Sequence, residues 1–149
     1  FRRGGGVMTR RVAIVGVGYS QVGRNTGLSE RHHAAQAAVA ALDDAGLTAK
    51  DIDGAGTWGG DAVDFGYMMG FDRLKWSLNV GVSPAFITPA YHAAMAVAEG
   101  IADVVVVYRA FNERSGHRFG TGVQDRPPAA NAEAAHFAYQ ATSGSVCEW

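Results

Sequence analysis

Two patterns alternate along the chain: unbroken β-branched runs, and stretches in which apolar residues recur at spacings of three and four. Val12-Ala13-Ile14-Val15-Gly16-Val17-Gly18 is a short apolar run ended by glycines and predicts a buried first strand. Tyr19 to Leu28 has no period and reads as loop. Ser29 then caps a helix with Glu30 in its first turn, Ala34, Ala35, Ala38, Val39, Ala41, Leu42 and Ala45 recur at helical spacing, and Gly46 closes it. So many alanines imply close approach of this helix to a sheet or a second element. Thr48 to Asp53 predicts a capped single turn with Ile52 pinned to the core, and Gly54 to Trp58 a short second strand.

Gly59 to Phe71 is glycine-rich and carries Phe65, Tyr67, Met68, Met69 and Phe71. It reads as a short helix and loop packed on the core, or as an apolar wall for a bulky ligand. Trp76-Ser77-Leu78-Asn79-Val80 alternates, which predicts a strand with one exposed face and an edge open to a second subunit. The organising unit is Asn79 to Ser115: a loop to Ile87, a helix from Thr88 to Gly100, a strand and a polar exit. Proline is tolerated at the first helical position, so Thr88 caps and Pro89 starts the helix. Ala102-Asp103-Val104-Val105-Val106-Val107-Tyr108 predicts a strand covered on both faces. From His117 to Trp149 only a weak helical pattern, Ala129 to Tyr139, is visible. Strand, helix, strand, twice over, predicts an α/β layered domain with a largely parallel sheet. In such sheets ligands bind beyond the carboxyl ends of the strands, which points to Arg109-Ala110-Phe111-Asn112-Glu113-Arg114-Ser115-Gly116.

The 149 residues suffice for one domain with a core. With 13 basic and 14 acidic residues there is no electrostatic footprint for nucleic acid or an anionic membrane. No apolar run approaches the ~20 residues of a membrane span. The single Cys147 excludes an internal disulfide and a cysteine-rich zinc site. A cytoplasmic protein is the resulting expectation. Phe1 to Val7 reads as leader, with Met8 a more natural start, and Cys147-Glu148-Trp149 ends without a terminal element. Residues 1–10 are therefore expected to be leader or disordered, 11–120 a domain, and 121–149 an incomplete loop region of a fragment.

Gly16-Val17-Gly18 invites a dinucleotide-binding reading, but Gln21 stands where the third glycine belongs and a loop precedes the helix. His32 and His33 are adjacent, so they face different directions and cannot share a metal as an i, i+4 pair can; surface or capping roles are expected for them and for His92. No metal site is expected. No Gly-x-Ser-x-Gly elbow is present. Arg109, Arg114, Arg118 and Arg126 form a mildly basic segment that fits either solvated surface or contacts to an acidic ligand such as a coenzyme A phosphate.

The order of these pieces resembles the N-terminal half of the thiolase superfamily. The likeness rests on Val12 to Gly18, on Ala37-Ala38-Val39-Ala40-Ala41-Leu42-Asp43-Asp44-Ala45-Gly46-Leu47, on Asp51-Ile52-Asp53, and on Ala93 to Val107, covering roughly Arg11 to Gly120. Tyr108 to Gly116 looks most like the branch of lipid-transfer proteins and sterol-carrier-type thiolases. The resemblance implies half of a five-layer αβαβα fold with a mixed, largely parallel sheet, a homodimer, and a coenzyme A thioester as substrate with no tightly bound cofactor. Thiolases place a nucleophilic cysteine at the N-terminus of the central helix, where the dipole stabilises its thiolate. Counting back from Val104 to Val107, that slot falls near Ser83, and no cysteine lies between Asn79 and Pro89. Ser83 is the candidate for the slot, although a serine ionises far less readily than a thiol. Arg109 and Arg114 are the candidates for binding coenzyme A or another acidic ligand. The family implies an acyltransferase, but the missing cysteine favours retro-aldol carbon–carbon cleavage of an acyl-CoA or steroid-CoA, as in cysteine-free relatives that work with an OB-fold partner protein, and the fragment is expected to be inactive alone. A non-catalytic lipid-CoA carrier on the same fold is the alternative.

Overall fold

The computed structural model describes residues 10–23, 26–81 and 87–111. The chain divides into two compact units, Phe1–Val22 with Leu28–Phe111, and Gly23–Gly27 with Asn112–Trp149. Every helix and strand among the described residues belongs to the first unit. Their order is α1 (Glu30–Ala45), a 3-10 turn (Ala49–Asp51), β1 (Gly54–Trp58), α2 (Ala62–Met69), β2 (Trp76–Val80), α3 (Ile87–Ala98) and β3 (Val105–Tyr108).

The helix ends follow the local chemistry. Ser29 accepts the His32 backbone N–H, Glu30 lies in the first turn, and Gly46 ends α1 in the left-handed conformation at φ 67°. Asp61 caps α2 by accepting the N–H groups of Val63 and Asp64, and Gly70 closes it at φ 74°. α3 begins at Ile87, one residue before the expected cap Thr88, so Thr88 lies inside the helix. Pro89 remains within the first turn, where its missing N–H has no intrahelical acceptor to lose.

The strands form a parallel sheet in the order β2-β1-β3. Gly54 pairs with Trp76 and Val105, and Thr57 with Asn79 and Tyr108. Because side chains alternate, Ala55, Thr57, Val106 and Tyr108 share one face of the sheet. On that face Ala34, Ala38 and Leu42 of α1, Phe65 of α2, Ile52 and Phe71 close the core. The opposite face carries Gly54 and Gly56, over which lie the Trp76 ring and Pro89 of α3. β3 was expected to be covered on both faces, yet its four residues are half-buried. Among the described residues it pairs only with β1, and an edge position leaves its outer side open.

The first expected strand is absent. Val12 to Gly18 forms no ladder, and Ile14 and Val15 are 90% and 61% exposed. The segment lies along α1 instead: an added Cβ at Gly16 would come within 2.3 Å of the Ala41 carbonyl oxygen, and one at Gly18 within 2.1 Å of that of Ala37. The Val17 N–H donates to Asp44 at 2.9 Å. A β-branched run favours extended backbone, but a strand exists only where a neighbour accepts its hydrogen bonds. The alanines of α1 thus serve two approaches, Ala34 and Ala38 toward the sheet and Ala37 and Ala41 toward the glycines. Gly18→Ala is expected to lift this segment from the helix, costing about 1–3 kcal/mol through overpacking. Faster amide exchange at Val17 is the readout, and unchanged protection would refute the contact.

Candidate functional site

The carboxyl ends of the strands are tied together by backbone and side-chain hydrogen bonds. After Trp58, Gly59 turns at φ 81° and its N–H donates to the Val80 carbonyl at 3.0 Å, joining the exits of β1 and β2. Asn79 of β2 accepts the Ala62 N–H at 2.8 Å, which fixes the start of α2. The Tyr108 hydroxyl donates to the Asp61 carbonyl at 3.1 Å, so the end of β3 is held to the same turn. Its ring stacks on Phe65 with centroids 3.9 Å apart. Burial pushes the Tyr108 phenol above its ordinary range, so it stays a neutral donor.

Arg109 leaves β3 on the face opposite Tyr108. Its guanidinium carbon lies 4.4 Å from the Trp58 ring centroid and 4.3 Å from that of Phe111. The two rings meet edge-on at 5.1 Å. Each aromatic face attracts the cation and restricts it without using its N–H donors. An added Cβ at Gly59 would sit 3.0 Å from Phe111, so the glycine admits the ring as well as the turn. The ion pairs among the described residues join Arg10 to Asp103, Arg31 to Asp64, and Lys75 to Asp53 and Asp103. Arg109 takes part in none of these. It is therefore an exposed cation, oriented by two rings and paired with no carboxylate among the described residues.

A second charged cluster lies at the other end of the sheet. Asp53, directly before β1, accepts the N–H groups of Asp103 and Val104 at 2.9 Å and pairs with Lys75 at 2.8 Å. Burial raises its pKa, but the Lys75 ammonium and the two N–H groups outweigh that and leave it below the ordinary carboxylate range. Asp103 is likewise held low by Arg10 and then Lys75, and Lys75 is held high by Asp53 and then Asp103. These groups are saturated by one another at the amino ends of the strands. Their role is to hold the sheet.

Of the residues expected from the sequence, Arg109 is at the carboxyl end of the sheet, while Ser83 and Arg114 lie outside the described residues, as do Cys147, His117 and His136. The aromatic stretch divides: Phe65 and Phe71 are core, whereas Tyr67 and Met68 face solvent, so it forms no continuous wall. His33, for which a surface or capping role is expected, is buried, with Nδ1 3.2 Å from the Ser20 hydroxyl. Helical phase turns it inward beside Ala34, while its neighbour His32 faces out. Trp58 and Phe111 were missed as partners of Arg109. The only sequence signal was an aromatic residue closing each strand exit. No group of three metal-ligating side chains is present among the described residues, and no helix among them is long and apolar enough to cross a membrane.

No family model matches the chain. It is 41% identical over 137 residues to a steroid side-chain-cleaving aldolase of Thermomonospora curvata, a match covering 89% of this chain and 35% of that protein. It is 42% identical over 123 residues to a 17-hydroxy-3-oxo-4-pregnene-20-carboxyl-CoA lyase of Mycobacterium tuberculosis, covering 76% and 31%. The chain thus spans about a third of the length of the curated relatives it matches. Among solved structures it resembles an Ltp2-ChsH2(DUF35) aldolase, with 38% identity, a TM-score of 0.66, and coverage of 90% of this chain and 34% of that one. A monomeric SCP2-thiolase-like protein from Mycobacterium smegmatis matches with 25% identity and a TM-score of 0.56, covering 66% and 23%. The 3-oxoacyl-[acyl-carrier-protein] synthase III of Aquifex aeolicus shares the fold alone, with 17% identity and a TM-score of 0.51, covering 60% and 32%. The parallel sheet and its layered helices are those of a thiolase-like α/β half-fold.

Proposed function

We propose that the protein is a thiolase-fold lyase that cleaves a carbon–carbon bond in the side chain of a steroid-CoA thioester by a retro-aldol reaction. The observation that carries this reading is the identity of about two residues in five to an aldolase and a lyase named for that chemistry. The absence of a cysteine between Asn79 and Pro89 supports it, because a retro-aldol step needs no acyl-enzyme thioester. A base removes the proton of a hydroxyl β to the thioester carbonyl, and that oxygen becomes a ketone as the bond between the α and β carbons breaks. The electron pair passes to the thioester enolate, which is protonated at the α carbon. An acyltransferase is thereby set aside in favour of a lyase, and the carrier alternative draws no observation of its own.

Within this reading, the ligand end of the sheet receives the coenzyme part of the substrate, and Arg109 is its binding candidate. A partner protein of the kind joined to Ltp2 in the solved aldolase complex is proposed to complete the enzyme. The test is incubation of the protein, alone and with such a partner, with a steroid-CoA bearing the β-hydroxyl. The expected result is stoichiometric ketone and shortened acyl-CoA, unaffected by a thiol-alkylating reagent. Tight binding of the ester with no ketone released would overturn the lyase reading in favour of a carrier.

A further inference from the structure

We infer that Arg109, held against Trp58 and Phe111, is a phosphate-binding subsite, and that its ligand is a phosphate of the coenzyme A portion of the substrate. This rests on the proposed function only for the source of the phosphate; the geometry of the subsite stands independently. The cation lies at the carboxyl end of a parallel sheet, where ligands approach. Two rings hold the guanidinium from its apolar side at 4.4 and 4.3 Å. Arg10, Arg31 and Lys75 are each matched to carboxylates, but Arg109 is matched to rings, which restrict it, and among the described residues no carboxylate pairs with it. A planar guanidinium fork suits the oxygens of a phosphate better than a single carbonyl does. Ring contact also reduces the side-chain entropy lost on binding, since the rotamer is set beforehand.

The experiment compares wild type with Arg109→Ala and Arg109→Lys, using calorimetric titration with coenzyme A, 3′-dephospho-coenzyme A and pantetheine. Arg109→Ala is expected to weaken coenzyme A binding about 10- to 100-fold, as for the loss of a charge-assisted hydrogen bond. Pantetheine, which carries no phosphate, is expected to bind wild type and variant alike. Arg109→Lys keeps the charge but not the fork and should fall between. If the loss persists with 3′-dephospho-coenzyme A the contact is to the pyrophosphate, and if it vanishes it is to the 3′-phosphate; either supports the subsite. Equal weakening for pantetheine, or unchanged coenzyme A binding, would overturn it. Failure of the function reading looks different: wild type would bind coenzyme A with the Arg109 dependence intact and still release no ketone.

Discussion

Phe65→Ala is expected to be the most damaging single substitution among the described residues, costing about 3–5 kcal/mol. Phe65 of α2 is 4% exposed and meets the Phe71 ring at 5.9 Å in an edge contact and the Tyr108 ring of β3 stacked at 3.9 Å. Truncation leaves a cavity between α1, α2 and the sheet that the capped ends of α2 cannot collapse to fill. Phe65→Leu keeps most of the volume and loses chiefly the ring contacts, about 1 kcal/mol. Urea unfolding of the three proteins provides the measurement. Similar losses for Ala and Leu would show that volume is not what matters there. The effect should reach the ligand end, because Tyr108 positions the residue that follows it, Arg109.

Asp53→Ala is expected to cost about 3 kcal/mol, for a different reason. Its carboxylate is the acceptor for two backbone N–H groups at the start of β3, and removal leaves both without a partner in a site where Asp53 is 6% exposed. The Lys75 pair adds little, since that ammonium is half exposed and screened by water. Asp53→Asn retains an acceptor oxygen and should lose less. The pH dependence has a definite sign. A carboxylate whose folded pKa is depressed contributes fully above its unfolded value of about 3.9 and loses that contribution as pH falls through the folded one. Wild type should therefore lose this part of its stability on acidification, and Asp53→Asn should show a shallower acid limb. Lys75, with a raised pKa, contributes below about 10.4 and loses that as pH rises. Parallel acid limbs for wild type and Asp53→Asn would contradict the role given to Asp53.

Most elements were legible because the signals that set them are local. Ser29 and Gly46 bound α1, the Thr48 turn leads to a buried Ile52, and alternation in Trp76 to Val80 matches a strand with every second residue exposed. The start of α3 was displaced by one residue because Pro89 tolerates more than one place in a first turn. The candidate site was legible only in part. Arg109 could be singled out as a cation after a β-branched run. That Trp58 and Phe111 flank it could not, since Trp58 lies far from both in the sequence and reaches them only because β1 and β3 are neighbours.

The amino-acid sequence by itself determined that there are helices at α1, α2 and α3, the caps of α1, the strands β1, β2 and β3, and the absence of a cysteine between Asn79 and Pro89. These depend on spacing and on side chains a few positions apart. Tertiary structure alone decided that Val12 to Gly18 lies on α1 without a strand partner, that Asp53 bolts β1 to β3, and that one arginine is gripped by two rings. The reason is common to all three: hydrogen-bond partners and ring neighbours distant along the chain are chosen by which strands become adjacent, and no local pattern encodes that choice.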